Sequence, residues 1–213
     1  MHCCREPFSG FSHLAGAILA AAGVLILVTL TWDQPGKMLS MLVYGTSMVL
    51  LYSASAVLHL IDAPHATIQW FSRLDHAAIY AVIAGTYTPF CYNLLSGGWR
   101  WGLLGTIWTL AVLSMIFKLV FHKRQTSGYW GLFAYIGMGW SGVIASPQLI
   151  HSLPTGGIGL VLGGGLIYSI GTIFYALDRP CCRPRYVSWH DIWHICVLAG
   201  SVLHFTAVLK YLV

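Results

Sequence analysis

Long apolar runs separated by short breaks of charge, proline and glycine set the pattern of this chain. A membrane-crossing helix needs about 20 mostly apolar residues, because it rises about 1.5 Å per residue across a hydrocarbon layer about 30 Å thick. Runs of that length fall at about 11–31, 38–61, 74–95, 99–121, 130–149, 157–177 and 189–212. Between them lie Asp33-Gln34-Pro35-Gly36-Lys37, Asp62-Ala63-Pro64-His65, Ser96-Gly97-Gly98, His122-Lys123-Arg124, Leu153-Pro154-Thr155 and the stretch from Asp178 to Tyr186. The pattern predicts an all-α membrane protein: a seven-transmembrane helix bundle forming a single domain over residues 1–213, with no room for a linker. No convincing internal repeat is visible, which disfavours a transporter built from two matched halves. The first run continues to Leu30, longer than the apolar stretch of a signal peptide, and reads as an uncleaved helix.

Composition narrows the class. Of 213 residues, 57% are hydrophobic and 8% charged, against roughly 25% charged in a soluble domain. Mean hydropathy is +0.73. Eleven basic and six acidic residues cannot wet a soluble globule, and the net charge of +5 is spread along the chain instead of gathered into the patch a nucleic-acid binder needs. The basic residues do sort by side. Arg5, Arg73, Lys118, Lys123, Arg124, Arg179, Arg183 and Arg185 flank one set of loops; only Lys37, Arg100 and Lys210 flank the other. The bias places the N-terminus in the cytoplasm and the C-terminus outside, in a plasma or inner membrane crossed many times. Cys3, Cys4, Cys181 and Cys182 then face the reducing side and read as free thiols.

Ionisable residues inside spans are costly and mark function by default. The second span ends with Ser55-x-x-x-His59, the third opens with Asp75-His76, and the seventh opens with His190-Asp191-Ile192-Trp193-His194. Positions i and i+4 of a helix stack one turn apart, so His190 and His194 can serve one ion. Alternating topology adds a second constraint: the second span ends at the cytoplasmic face, and the third and seventh start from it. Ser55, His59, Asp75, His190 and His194 therefore share one depth. The metal reading is a zinc site with His59, His190 and His194 as ligands and a fourth position open to water. Asp75 would hold and deprotonate that water, and Ser55 would hydrogen-bond the substrate carbonyl or an inner ligand. The alternative is that each imidazole reaches headgroups or bonds a neighbouring helix. Three histidines and a carboxylate at matched depth favour the metal.

The other polar residues read more plainly. His76 points about 100° from Asp75, toward a neighbouring helix. His204 lies about 15 Å along the axis from His194, too far to share an ion. His13 sits at the depth of the site, either beside it or packed between helices, and packing is the preferred reading. Asp191 reads as a partner of a helix N-terminus. The glycines from Gly156 to Gly165 lack the Lys-Ser/Thr of a phosphate loop and read as helix packing through Gly159-x-x-x-Gly163. Trp99, Trp101, Trp130 and Trp189 read as an aromatic belt.

Ser55-x-x-x-His59, Asp75 and His190-x-x-x-His194 resemble the signature of the progestin and adiponectin receptor (PAQR) family, in its bacterial hemolysin III branch. Ala84-Gly85-Thr86-Tyr87-Thr88-Pro89-Phe90, Met138-Gly139-Trp140, Tyr168-Ser169-Ile170-Gly171 and Ile173-Phe174-Tyr175 match further, so the resemblance runs from about Glu6 to Tyr211. It implies seven helices, a cytoplasmic N-terminus and zinc near the cytoplasmic face, held by His59, His190 and His194, with Asp75 and Ser55 beside it. Animal members are similar to lipid-amide hydrolases of ceramidase type. One departure is visible: the family's first motif has an Asn about four residues before its His, where this chain has Ser9 before His13, though Glu6 is retained. The expected function is a zinc-dependent hydrolase of an amphiphilic lipid amide or ester, with a membrane lipid as substrate or ligand and no nucleic-acid partner. The alternative is a zinc-stabilised sensor or regulator of membrane lipid state without turnover. A membrane-perturbing hemolysin is disfavoured, because no polar stripe could line a pore.

Overall fold

A computed structural model describes residues 5–120, 129–177 and 188–213. Cys3, Cys4, Lys123, Arg124, Arg179, Cys181, Cys182, Arg183 and Arg185, on which the orientation and thiol readings partly rest, lie outside these residues. The described chain is helical, with no strand among the described residues: α1 (Pro7–Leu30), α2 (Pro35–Leu60), α3 (His65–Leu94), α4 (Gly97–Val120), α5 (Tyr129–Trp140), a 3₁₀ turn (Ser141–Ala145), α6 (Ser146–Ser152), α7 (Thr155–Leu177) and α8 (Trp189–Tyr211). Five helices, α1, α2, α4, α7 and α8, are long and apolar enough to cross a membrane, and a shorter apolar helix covers Gly131–Ile144.

The helix boundaries follow local chemistry. Pro7 and Pro35 occupy the first turns of α1 and α2, where a missing N–H costs nothing. Helix α8 opens on a capping box: the Ser188 hydroxyl accepts from the Asp191 amide at 3.1 Å, and the Asp191 carboxylate accepts from the Ser188 amide at 2.8 Å. Helix α3 starts nine residues before the 74–95 run, because the polar stretch from His65 to Arg73 joins the same helix.

The 130–149 run is not one helix, and this corrects the expectation. It breaks after Trp140 into a 3₁₀ turn and the short α6. The break is served by Tyr87 of α3. Its hydroxyl accepts from the Gly142 amide at 2.7 Å and lies 3.0 and 2.7 Å from the Met138 and Gly139 carbonyls. The Ser141 hydroxyl also donates to the Met138 carbonyl at 2.6 Å. Backbone groups freed by the break thus find partners inside the protein.

Helix α1 packs against α2 and α8, α2 against α3, α3 against α4, and α7 against α8, with α5 touching α3 and α7. Antiparallel neighbours bring the start of α1, the end of α2, the starts of α3 and α8, and the end of α7 to one end of the bundle. The seam between α7 and α8 runs through Gly157, Gly164 and Gly171, the buried glycines of α7. A Cβ at Gly164 would stand 2.5 Å from His204 Nε2, and one at Gly171 would stand 2.8 Å from the Cys196 Cβ. Glycine packing is therefore present, but at a seven-residue spacing. Gly159 faces open space, which corrects the four-residue motif.

Candidate metal centre

Three imidazoles meet where α2 ends and α8 begins. His59, His190 and His194 each offer a ring nitrogen, and these three atoms lie within 4.8 Å of one another. Their helices deliver them differently. His59 closes α2 and is 3% exposed, whereas His190 and His194 stand one turn apart on α8, with their Nε2 atoms 3.0 Å apart. Ligands about 2.0–2.1 Å from a tetrahedral ion stand about 3.3–3.4 Å from each other, so small side-chain adjustments bring this set onto one ion.

The His59 ring is oriented from outside. Its Nδ1 contacts the Glu6 carboxylate, and the Glu6 amide donates to the His59 carbonyl at 3.0 Å. An imidazole that gives its Nδ1 proton to a carboxylate presents a lone pair at Nε2, the arrangement that fixes metal-binding histidines. His59 Nε2 is indeed buried and without a hydrogen-bond partner. Leaving such an atom unpaired costs about 1–3 kcal/mol, and a bound ion removes that cost. The hydrogen bond with His59 also holds the Glu6 carboxyl below the usual carboxylate range, against the opposing effect of burial. The donor set fits a borderline divalent cation such as zinc.

Helix α1 supplies the rest of the wall. The Ser9 hydroxyl donates to Asp191 Oδ1 at 2.6 Å, binding the first turn of α1 to the cap of α8. Asp191 is therefore a capping residue, as its position suggested. His13, one turn further along α1, is 3% exposed. Its ring centroid lies 3.9 Å from that of His194, with the planes 31° apart.

Both remaining site residues from the sequence reading line the same cavity as the histidines. Ser55 is 1% exposed, and Asp75 is half-buried on the wall formed by α3. His76 also lines this cavity and faces the neighbouring α7, as expected: its Nδ1–H donates to the Ser72 carbonyl at 2.6 Å and its Nε2 accepts from the Tyr175 hydroxyl at 3.1 Å. The cavity holds about 1620 Å³ and extends from the histidines up to His204, about 15 Å along α8. Leu51, Ile79 and Val197 line it alongside the polar groups.

The pattern of apolar runs does not link Glu6 to His59. Glu6 precedes the first apolar run, and its partner lies 53 positions away. His13 packs between Tyr52 of α2 and His194 of α8, as expected. Ser9 and His13 stand one turn apart on α1, which Glu6 precedes as the N-cap residue.

Comparison with known proteins agrees with this architecture. The family model "Haemolysin-III related" matches residues 1–205. The chain is 39% identical over 209 residues to "Hemolysin-3" of Bacillus cereus, covering 97% of this chain and 91% of that one. It is 36% identical over 211 residues to a "Hemolysin-3 homolog" of Bacillus subtilis (strain 168), covering 98% and 95%. A human "Monocyte to macrophage differentiation factor" is 26% identical over 219 residues, covering 99% and 85%. Together with the apolar helices, these relatives make this a multi-pass membrane protein.

Proposed function

Because the chain belongs to the haemolysin-III-related family, we propose that it is a zinc-dependent hydrolase of an amphiphilic lipid amide or ester, working at the cytoplasmic face. The observation that carries this reading is the convergence of three imidazole nitrogens at one end of a long, mostly apolar cavity. In this reading α3 and the broken α5–α6 segment cross the membrane with the five apolar helices. That gives one seven-span domain with its N-terminus in the cytoplasm.

His59, His190 and His194 would hold the zinc. When bound, zinc polarises a carbonyl and lowers the pKa of water toward about 7. Glu6 keeps Nε2 of His59 free of a proton by taking the hydrogen bond from Nδ1. Asp75 takes a proton from the attacking water at its carboxylate and passes it to the leaving amine or alcohol. Ser55 donates a hydrogen bond to the substrate carbonyl. The cavity wall beyond them accepts the hydrocarbon chain and keeps bulk water from it.

The test is metal analysis and lipid turnover on the purified protein. About one zinc per chain and release of free fatty acid from lipid amides or esters are expected. A folded protein with no transition metal and no thermal shift on adding zinc removes the ligand assignment. Bound zinc with no release from any lipid amide or ester tried favours the sensor without turnover.

A further inference from the structure

His13 is the unexplained imidazole of this centre. It is 3% exposed, and neither of its ring nitrogens has a hydrogen-bond partner. A neutral imidazole carries one donor and one acceptor, and buried polar groups without protein partners point to something the protein binds.

The neighbouring hydroxyls that could satisfy it are already committed. The Ser9 hydroxyl is given to Asp191. The Tyr52 ring meets His13 edge-on, with centroids 5.1 Å apart, but its hydroxyl donates to Ser201 at 2.6 Å. His194 offers its ring face, and its Nε2 is turned to His190. His13 also falls outside the set whose nitrogens lie within 4.8 Å of one another. It is therefore not a fourth member of the triad, yet it sits one ring's thickness from His194 and on the wall of the cavity.

We propose that His13 is a positioning residue that hydrogen-bonds the non-protein group at the open position of the His59–His190–His194 site, be it water, a small anion or a substrate oxygen. This rests on the metal reading above. It assigns to α1 a role in ligand binding that packing does not require, since a phenyl ring would stack on His194 equally well.

That equivalence supplies the test. The full chain, purified in detergent and loaded with Co²⁺, is titrated with azide while the visible absorption of the cobalt is followed. His13→Phe keeps the ring and loses both nitrogens; His13→Gln loses the ring and keeps a donor and an acceptor. The expected result is about one cobalt per chain in all three proteins. Azide affinity should fall about tenfold in His13→Phe, the loss of one hydrogen bond, and stay within about threefold of the parent in His13→Gln. Parental azide affinity in His13→Phe overturns the proposal and leaves His13 as packing. Loss of cobalt from a folded His13→Phe also overturns it, by making His13 a ligand. If His13→Phe does not fold, His13→Ala takes its place with the same expectations. A parent chain that takes up no cobalt overturns the metal reading and this inference together; parental azide binding in His13→Phe overturns this inference alone.

Discussion

Helices α2 and α4 are both long, apolar and free of acidic residues, yet the protein uses them in opposite senses. Helix α4 buries only Ile107, Ala111 and Lys118, and presents Leu110, Val112, Leu113, Ile116, Phe117 and Val120 outward. Helix α2 buries Ser40, Ser47, Ser55 and His59 together with Tyr44 and Tyr52. Around α4, hydrophobicity marks contact with lipid. Around α2, α1 and α8, imidazoles and tyrosine rings face inward, while the outward hydroxyls of Thr29, Thr46 and Thr206 donate to carbonyls of their own helices. In this molecule the core is the more polar place, and His13, His59, His190 and His194 are gathered at one end of it.

The sharpest way to break that contrast is His194→Ala. Removing one of three ligands should abolish stoichiometric zinc, and the melting temperature should fall with it, because metal binding is coupled to folding. Zinc per chain by elemental analysis, read beside a thermal melt, checks both. Retention of one zinc at parental affinity would take His194 out of the ligand set.

Asp75→Asn asks whether the polar end is built for chemistry as well as for binding. The substitution keeps shape and one oxygen but loses the base. Zinc content and melting temperature should survive while lipid hydrolysis falls about 10²–10⁴-fold. Parental turnover in this variant would reject Asp75 as the base.

A smaller effect is expected from Glu6→Gln. The amide keeps an acceptor for His59 Nδ1–H but gives up the charge, and zinc affinity should drop about 10–100-fold in competition with a chelator. Unchanged affinity would make the Glu6 contact a tether of the N-terminal segment only.

Leu113→Ala on α4 sets the baseline. Leu113 is 60% exposed, and its loss should move the melting temperature by less than about 2 °C and leave zinc untouched. A large destabilisation would mean that α4 faces protein instead of lipid, erasing the contrast.

The triad was legible in the sequence because two independent regularities converge on it. The i, i+4 spacing of His190 and His194 sets a shared face, and alternating helix direction sets a shared depth with His59. Glu6 lacked any such regularity, since its partner is 53 positions away and nothing in hydropathy links a residue before one span to the end of the next. The break at Trp140 was equally hidden. It depends on the Tyr87 hydroxyl arriving from α3 to serve the Gly142 amide, and an apolar run looks continuous whether or not that hydroxyl is there. The glycines misled for a related reason. Their count announced close packing, but only the partner helix decides that Gly157, Gly164 and Gly171 form the seam and Gly159 does not.

The hydrogen bond from Ser9 to Asp191 joins residues 182 positions apart, and so has a consequence in time. On a ribosome adding about 5–20 residues per second, Glu6 and His59 are finished roughly 7–26 seconds before His190 exists. During that interval α1 and α2 hold half of the centre, with a histidine already tethered and nothing opposite it. The three imidazoles can meet only when α8 enters and docks on the oldest part of the chain. Closure of the centre therefore reports that synthesis has reached the last described helix, and a nascent chain stalled short of it carries an open, incomplete pocket at its N-terminal end.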